Sequence, residues 1–279
     1  MRGARVLALG LLAAGCGRTA AFIDYEDLDV FGADDPITDG CSKVDYLFVI
    51  DNSASMDIYQ RRLVQNFPAL INGVQRSQES LDSVHVGVLT TDGYLGNPQG
   101  CTMIGDLVTR TRGHNSSEAT CGPFADGHNF MTENDDLETA FACTAQVGTQ
   151  GSVREAPLLA IGSALQPHKL AAGACNAGFL RDDALLVIAI ITDEDDPGLV
   201  EFAYERAVEA KHGYADNVVA VAIVVEPDGP CVEVGHSTEA HAITEFTNYF
   251  QHSFIGAICA EDYGPTFDDA VSVVQAACG

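Results

Sequence analysis

Apolar and polar positions along the chain follow two alternating rhythms. Val44 to Ile50 is a near-continuous apolar run, the pattern of a strand covered on both faces. After it, Ile58, Leu63, Val64, Phe67, Leu70, Ile71 and Val74 recur at helical spacing and predict an amphipathic helix that carries Pro68. The strand rhythm returns at 84–90, 184–191, 218–225 and 253–259. Helical spacing returns at 136–147, 201–211, 239–250 and 266–277. Residues 93–133 are rich in Gly, Ser, Thr and Asn and too long for a plain loop, so an insertion with a short edge strand or hairpin is expected there. Together these elements predict an α/β fold: a doubly wound, Rossmann-like, mostly parallel six-stranded sheet with helices on both faces.

Three of the apolar runs end in oxygen-bearing side chains. The first stops at Asp51, and Ser53 and Ser55 follow at alternate positions, which point the same way in an extended loop. The 84–90 run ends in Thr91-Asp92-Gly93, and the 184–191 run in Thr192-Asp193. Open α/β sheets bind ligands at such carboxyl ends. Carboxylates and hydroxyls without nitrogen or sulfur suit a hard divalent cation, Mg2+ first, with Mn2+ or Ca2+ admissible. The plainer readings are a polar strand-to-helix loop with a serine cap at 51–55 and a simple turn at Asp92-Gly93.

Asp51-Asn52-Ser53-Ala54-Ser55 resembles the metal-ion-dependent adhesion site of the von Willebrand factor type A (vWA) domain family, written Asp-x-Ser-x-Ser after the first strand. Thr192-Asp193 resembles the end of that family's fourth strand, which supplies the last carboxylate. The resemblance spans about residues 43–278 and implies Asp51, Ser53, Ser55 and Asp193 as metal ligands. It also implies a hydroxyl from a Gly-Gly-Thr stretch just before a helix. In VGTQGSVREAPLLA, counting back from Pro157-Leu158 gives Ser152; Thr149 is the alternative, of the native type but three places early. Asp92 would stand behind the ligands. Glu155 faces the same helix end, where it either reaches the metal through water or favours the helix amino terminus. Asp195 and Asp196 read as helix-entry and rim residues, since no EF-hand spacing starts at Asp193. In the family a partner protein's carboxylate completes the coordination, so a protein ligand offering an Asp or Glu is implied.

Residues 1–16 read as a targeting segment, with Arg2 and Arg5 at its start and an apolar middle from Val6 to Ala14. Ala13-Ala14-Gly15-Cys16 resembles a bacterial lipobox, with Ala13 where Leu is usual, so Cys16 is expected to carry lipid; ordinary cleavage near residues 14–20 is the alternative. Gly17, where an Asp would signal inner-membrane retention, points to the outer membrane, with the lipid anchor as the only membrane contact. Residues 17–42 are acidic and read as an extended tether to a domain at 43–279. Eight cysteines remain besides Cys16, none in a C-x-x-C pair, so disulfides in an oxidising compartment are expected. Proximity along the chain suggests Cys101–Cys121 and Cys231–Cys259.

Acidic residues outnumber basic ones 40 to 14, a net charge of −26, which disfavours nucleic acid as a partner. No nucleophile elbow, H-E-x-x-H helix or P-loop occurs, so an enzyme is not expected. A metal used for rigidity alone is the main rival to partner binding, and metal-assisted hydrolysis is a remoter one.

Overall fold

The computed structural model describes residues 41–77, 81–196, 198–231 and 238–279. The expected targeting segment with Cys16, and the acidic stretch up to residue 40, lie outside the described residues. The six strands are β1 (Lys43–Ile50), β2 (Ser83–Thr90), β3 (Met131–Thr132), β4 (Leu185–Ile191), β5 (Val218–Val224) and β6 (His252–Ala257). The helices are α1 (Asp57–Ser77), α2 (Leu137–Ala145), α3 (Pro157–Ala164), α4 (Pro167–Leu170), α5 (Val200–Glu209), α6 (His241–Asn248) and α7 (Gly264–Ala277). Among the described residues no helix is long and apolar enough to cross a membrane.

The strands form one sheet in the order β3-β2-β1-β4-β5-β6. All neighbours are parallel except the two-residue β3, which runs antiparallel along β2 at the edge. This is the doubly wound class that the alternating rhythms predict, and β3 is the edge strand expected in the insertion. Seven of the eight β1 residues are buried, as a central strand covered on both faces requires. Tyr46, Phe48 and Ile50 point to the layer of α1, α2 and α7, and Leu47 and Val49 to the layer of α3, α5 and α6. Phe48 meets Phe141 of α2 edge-on at 4.8 Å between ring centroids and Phe67 of α1 at 5.9 Å. Burying each such side chain contributes about 1.5–3 kcal/mol.

Four disulfides fix the periphery: Cys41–Cys278, Cys101–Cys175, Cys121–Cys143 and Cys231–Cys259. The expected Cys231–Cys259 pair is present. The expected Cys101–Cys121 pair is not, because the insertion is pinned outward instead of onto itself. Leu107 N–H donates to Asn176 Oδ1 at 3.0 Å, which lays the Cys101 loop on the segment carrying Cys175. Cys121 N–H donates to Thr109 O at 2.8 Å, and Ser117 N–H donates to Gln146 O at 3.1 Å, which turns that arm toward Cys143 in α2. Cys41 is buried and covalently joined to Cys278 beside α7, so the folded domain already includes residues 41 and 42.

The Cys41–Cys278 bridge spans a sequence separation of 237 residues. Closing so long a loop removes about 5 kcal/mol of unfolded-state freedom in the chain-entropy account. The Cys41→Ser/Cys278→Ser double variant should therefore melt at least about 10 °C lower in scanning calorimetry under non-reducing conditions.

Candidate metal centre

The parallel register sets the site. Ile50 pairs with both Thr90 and Ile191, so Asp51, Thr91 and Thr192 leave the sheet side by side. Asp51 N–H still donates to Ile191 O at 3.0 Å, continuing the ladder one residue past the strand. Asp51 Oδ1 accepts from Ser53 N–H and Oδ2 from the Thr192 hydroxyl, each at 2.6 Å. Ser53 Oγ lies 3.2 Å from Ser55 Oγ, and Ser55 Oγ donates to Asp193 Oδ1 at 2.9 Å. Thus Asp51, Ser53, Ser55 and Asp193, far apart in sequence, stand together. Asp51, Ser53 and Asp193 are buried and Ser55 is exposed, giving the group a closed floor and one open side.

A second layer of hydrogen bonds holds these loops. Gln60 of α1, 1% exposed, donates from Nε2 to Asp51 O at 2.8 Å and to Gly148 O at 2.9 Å. Asp92 accepts from Asn52 Nδ2 at 3.2 Å and from Ser152 N–H at 2.8 Å, tying the 51–55 loop to the 147–156 loop. Gly151 sits against Asn52 so closely that a Cβ there would lie 2.4 Å from Asn52 Cγ. Gln60 carries no sequence signal beyond a polar residue on a helix, and sequence reasoning misses it.

The two hydroxyls proposed for the 147–156 loop have contacts of their own. Ser152 Oγ accepts from Arg154 N–H at 3.0 Å. Thr149 Oγ1 accepts from Asn115 Nδ2 at 3.2 Å, beside His114. Neither hydroxyl is hydrogen-bonded to the Asp51–Ser53–Ser55–Asp193 group. Asp195 and Asp196 are used at helix entries, as expected of them: Asp195 accepts from Ala242 N–H of α6 at 3.0 Å, and Asp196 from Leu158 N–H of α3 at 2.9 Å.

Burial without a cation dominates the electrostatics. At the opposite end of β1, the buried Asp45 is paired with Arg181 at 2.7 Å. Among the described residues no Lys or Arg ion pair reaches Asp51, Asp193 or Glu155. Burial pushes Asp51 up to about 6, opposed by its bonds from Thr192 and Ser53 and reinforced by Asp193. Burial likewise raises Asp193, against the Ser55 hydrogen bond. Glu155 is pushed up to about 8, by burial first and then by Asp51, with the Thr91 hydrogen bond opposing. Its Oε2 accepts from the Thr91 hydroxyl, and its buried Oε1 has no hydrogen-bond partner.

Among the described residues no three His, Cys, Asp or Glu side chains form a ready-made metal cluster. The convergent set is instead two carboxylates and two hydroxyls. It fits a hard cation on two observations, all-oxygen chemistry and an orphaned buried carboxylate oxygen close by. Asp51 and Asp193 would balance a divalent charge, and the serines would add geometry without charge. Beside the group lies a cleft of about 410 Å³ lined by Asn52, Asp92, Tyr94, Leu95, Arg112 and Ser152 among others.

No known family model matches the chain. No curated protein matches it either. Solved structures with similarity to it include mussel byssus proximal thread matrix protein 1 (11% identity, TM-score 0.42, covering 84% of this chain and 49% of that one). Others are the manganese-loaded Plasmodium vivax TRAP protein (11%, 0.40, 86% and 75%) and the human COPII-coat protein Sec24c (12%, 0.42, 85% and 32%). The chain therefore spans about half the length of the mussel protein.

The raised carboxylates give a pH signature. In metal-free protein the folded state holds the Glu155 proton up to about pH 8, well above the ordinary carboxyl value of 4.5. That stabilisation is full at low pH and is lost as pH rises through about 8. Chelated protein should melt lower at about pH 9 than at about pH 7, and added Mg2+ should narrow the gap, as read by thermal melts with and without EDTA.

Proposed function

We propose that this chain is a vWA-type binding domain of a bacterial cell envelope that holds a protein partner through a divalent cation. The observation that carries the reading is the buried pair Asp51 and Asp193, joined through Ser55 and Ser53, with no Lys or Arg among the described residues in an ion pair with either. Uncompensated carboxylates in a protein interior are costly unless a cation joins them. Mg2+ is the first choice for an all-oxygen set, with Mn2+ or Ca2+ admissible. The ion would supply a coordination position on the open Ser55 side, and a partner's Asp or Glu would fill it. Leu95 and Val153, 84% and 88% exposed, lie on the two loops beside the site and offer apolar surface to such a partner. The reading is of a binding module and not of an enzyme, and nucleic acid is no part of it.

Asp51→Ala and Asp193→Ala should each lower Mg2+ affinity by more than about 100-fold in calorimetry, beyond the effect typical of lost outer-shell partners. Capture of an envelope protein should be EDTA-sensitive for the native chain and absent for both variants, with the four disulfides intact. Unchanged metal affinity in both variants overturns the metal centre. Retained metal binding with no EDTA-sensitive partner leaves a metal used for rigidity alone.

Location is part of the proposal: lipid on Cys16 would hold the protein at the outer membrane, with residues up to 40 as spacer. Cys16→Ser should move the protein from the membrane to the soluble fraction on cell fractionation. Retention of the variant on the membrane would contradict the anchor.

A further inference from the structure

Among the buried acids, Glu155 is the one for which the sequence left two roles open, metal through water or helix amino end. It lies just before α3, is 4% exposed, and stands on the loop from which the vWA resemblance takes a hydroxyl. The other buried acids outside the Asp51–Asp193 pair have clear employment. Asp45 is matched to Arg181, Asp106 to Lys169, and Asp196 to the amino end of α3. Glu155 has one oxygen on the Thr91 hydroxyl and the other, Oε1, on nothing. Leaving a buried carboxyl oxygen without a hydrogen-bond partner costs the fold stability.

The surroundings point Glu155 toward the same ion. Thr91, its hydroxyl partner, also donates to Asn52 Oδ1 at 3.3 Å, so the Glu155 carboxylate stands one hydroxyl away from the Asp51–Ser55 loop. Ala156 N–H donates to Thr91 O at 3.1 Å and fixes the backbone next to it. Meanwhile Ser152 Oγ and Thr149 Oγ1 are turned to Arg154 N–H and to Asn115 with His114. We propose that Glu155, in place of a Ser or Thr hydroxyl, is the side chain this loop gives to the cation, with Oε1 reaching it through water. A water bridge is the contact proposed, since among the described residues no three such side chains form a ready-made cluster. The inference rests on the metal reading above and deepens it.

A third carboxylate changes what the ion can do. Asp51 and Asp193 alone neutralise a divalent cation, whereas a third acid leaves a net negative site. Such a site holds its cation more tightly and receives an acidic partner less readily than a site completed by a hydroxyl.

The test is calorimetric titration of the purified native chain and of Glu155→Gln, Ser152→Ala and Thr149→Val with MgCl2 and with MnCl2 alone. Glu155→Gln keeps shape and hydrogen-bonding capacity, and should weaken cation affinity at least about tenfold, the scale of a lost water-bridged partner. In chelated buffer the same variant should melt no lower than the native chain, and Mg2+ should raise its melting temperature less. Native affinity in Glu155→Gln overturns the inference while leaving the metal centre standing. So does a loss confined to Ser152→Ala or Thr149→Val, which would return the role to a hydroxyl. If the native chain takes up neither cation, the metal reading and this inference fall together.

Discussion

Two buried carboxylates at neighbouring strand ends, with no Lys or Arg ion pair to either among the described residues, form the constraint on which the upper face of this molecule depends. The register of β1 against β4 imposes it. Ile50 stands opposite Ile191, so the next residues, Asp51 and Thr192, are neighbours before any loop chooses a path. Helix–sheet packing then buries both. The loops at this end answer to that placement: the Thr192 hydroxyl and Ser53 N–H satisfy Asp51, and Ser55 satisfies Asp193. Hydrogen bonds ease the burial of such charge but do not neutralise it.

The two ends of β1 solve the same problem differently. At the amino end the buried Asp45 receives the Arg181 side chain, whose guanidinium also donates to Ser83 Oγ at 2.7 Å and to Val44 O at 3.1 Å. That acid is balanced within the chain and welds β1 to β2. At the carboxyl end, among the described residues, no Lys or Arg ion pair balances Asp51 or Asp193. The contrast separates a structural buried ion pair from a site, and it does so within a single strand.

Much of this was legible in the sequence because parallel strands buried on both faces leave long apolar runs. Val44–Ile50, Ala184–Ile191 and Val218–Val225 needed no tertiary knowledge to be read as strands, nor did Asp51, Ser53, Ser55 and Asp193 as a possible group. The two-residue β3 leaves no comparable run, and only the length of the insertion hinted at it. Disulfide partners depend on which loops pack together, and nearness along the chain misled for Cys101 and Cys121. Gln60 was obscure for a related reason, and for Glu155 the sequence left two roles open, metal through water or helix amino end. A glutamine on a helix is ordinary until the fold shows what surrounds it, and a glutamate before a helix suits either role until its second oxygen is seen to lack a partner. Counting along the 147–156 loop cannot choose between Thr149, Ser152 and Glu155, because the choice rests on which side chain is already held by another group.

The Cys41–Cys278 bridge lies where β1 begins, at the end of the sheet away from the metal centre. The cystine thus marks one end of β1, and the Asp51–Asp193 group the other. A load between those points runs along β1, a path of about 26 Å for eight residues. Parallel neighbours on both sides of that strand would resist it in shear, the many ladder bonds acting at once. At the base, the cystine would share the force with α7, so the entering segment could not be peeled away residue by residue. The topology thus suits a tie that stays folded under tension.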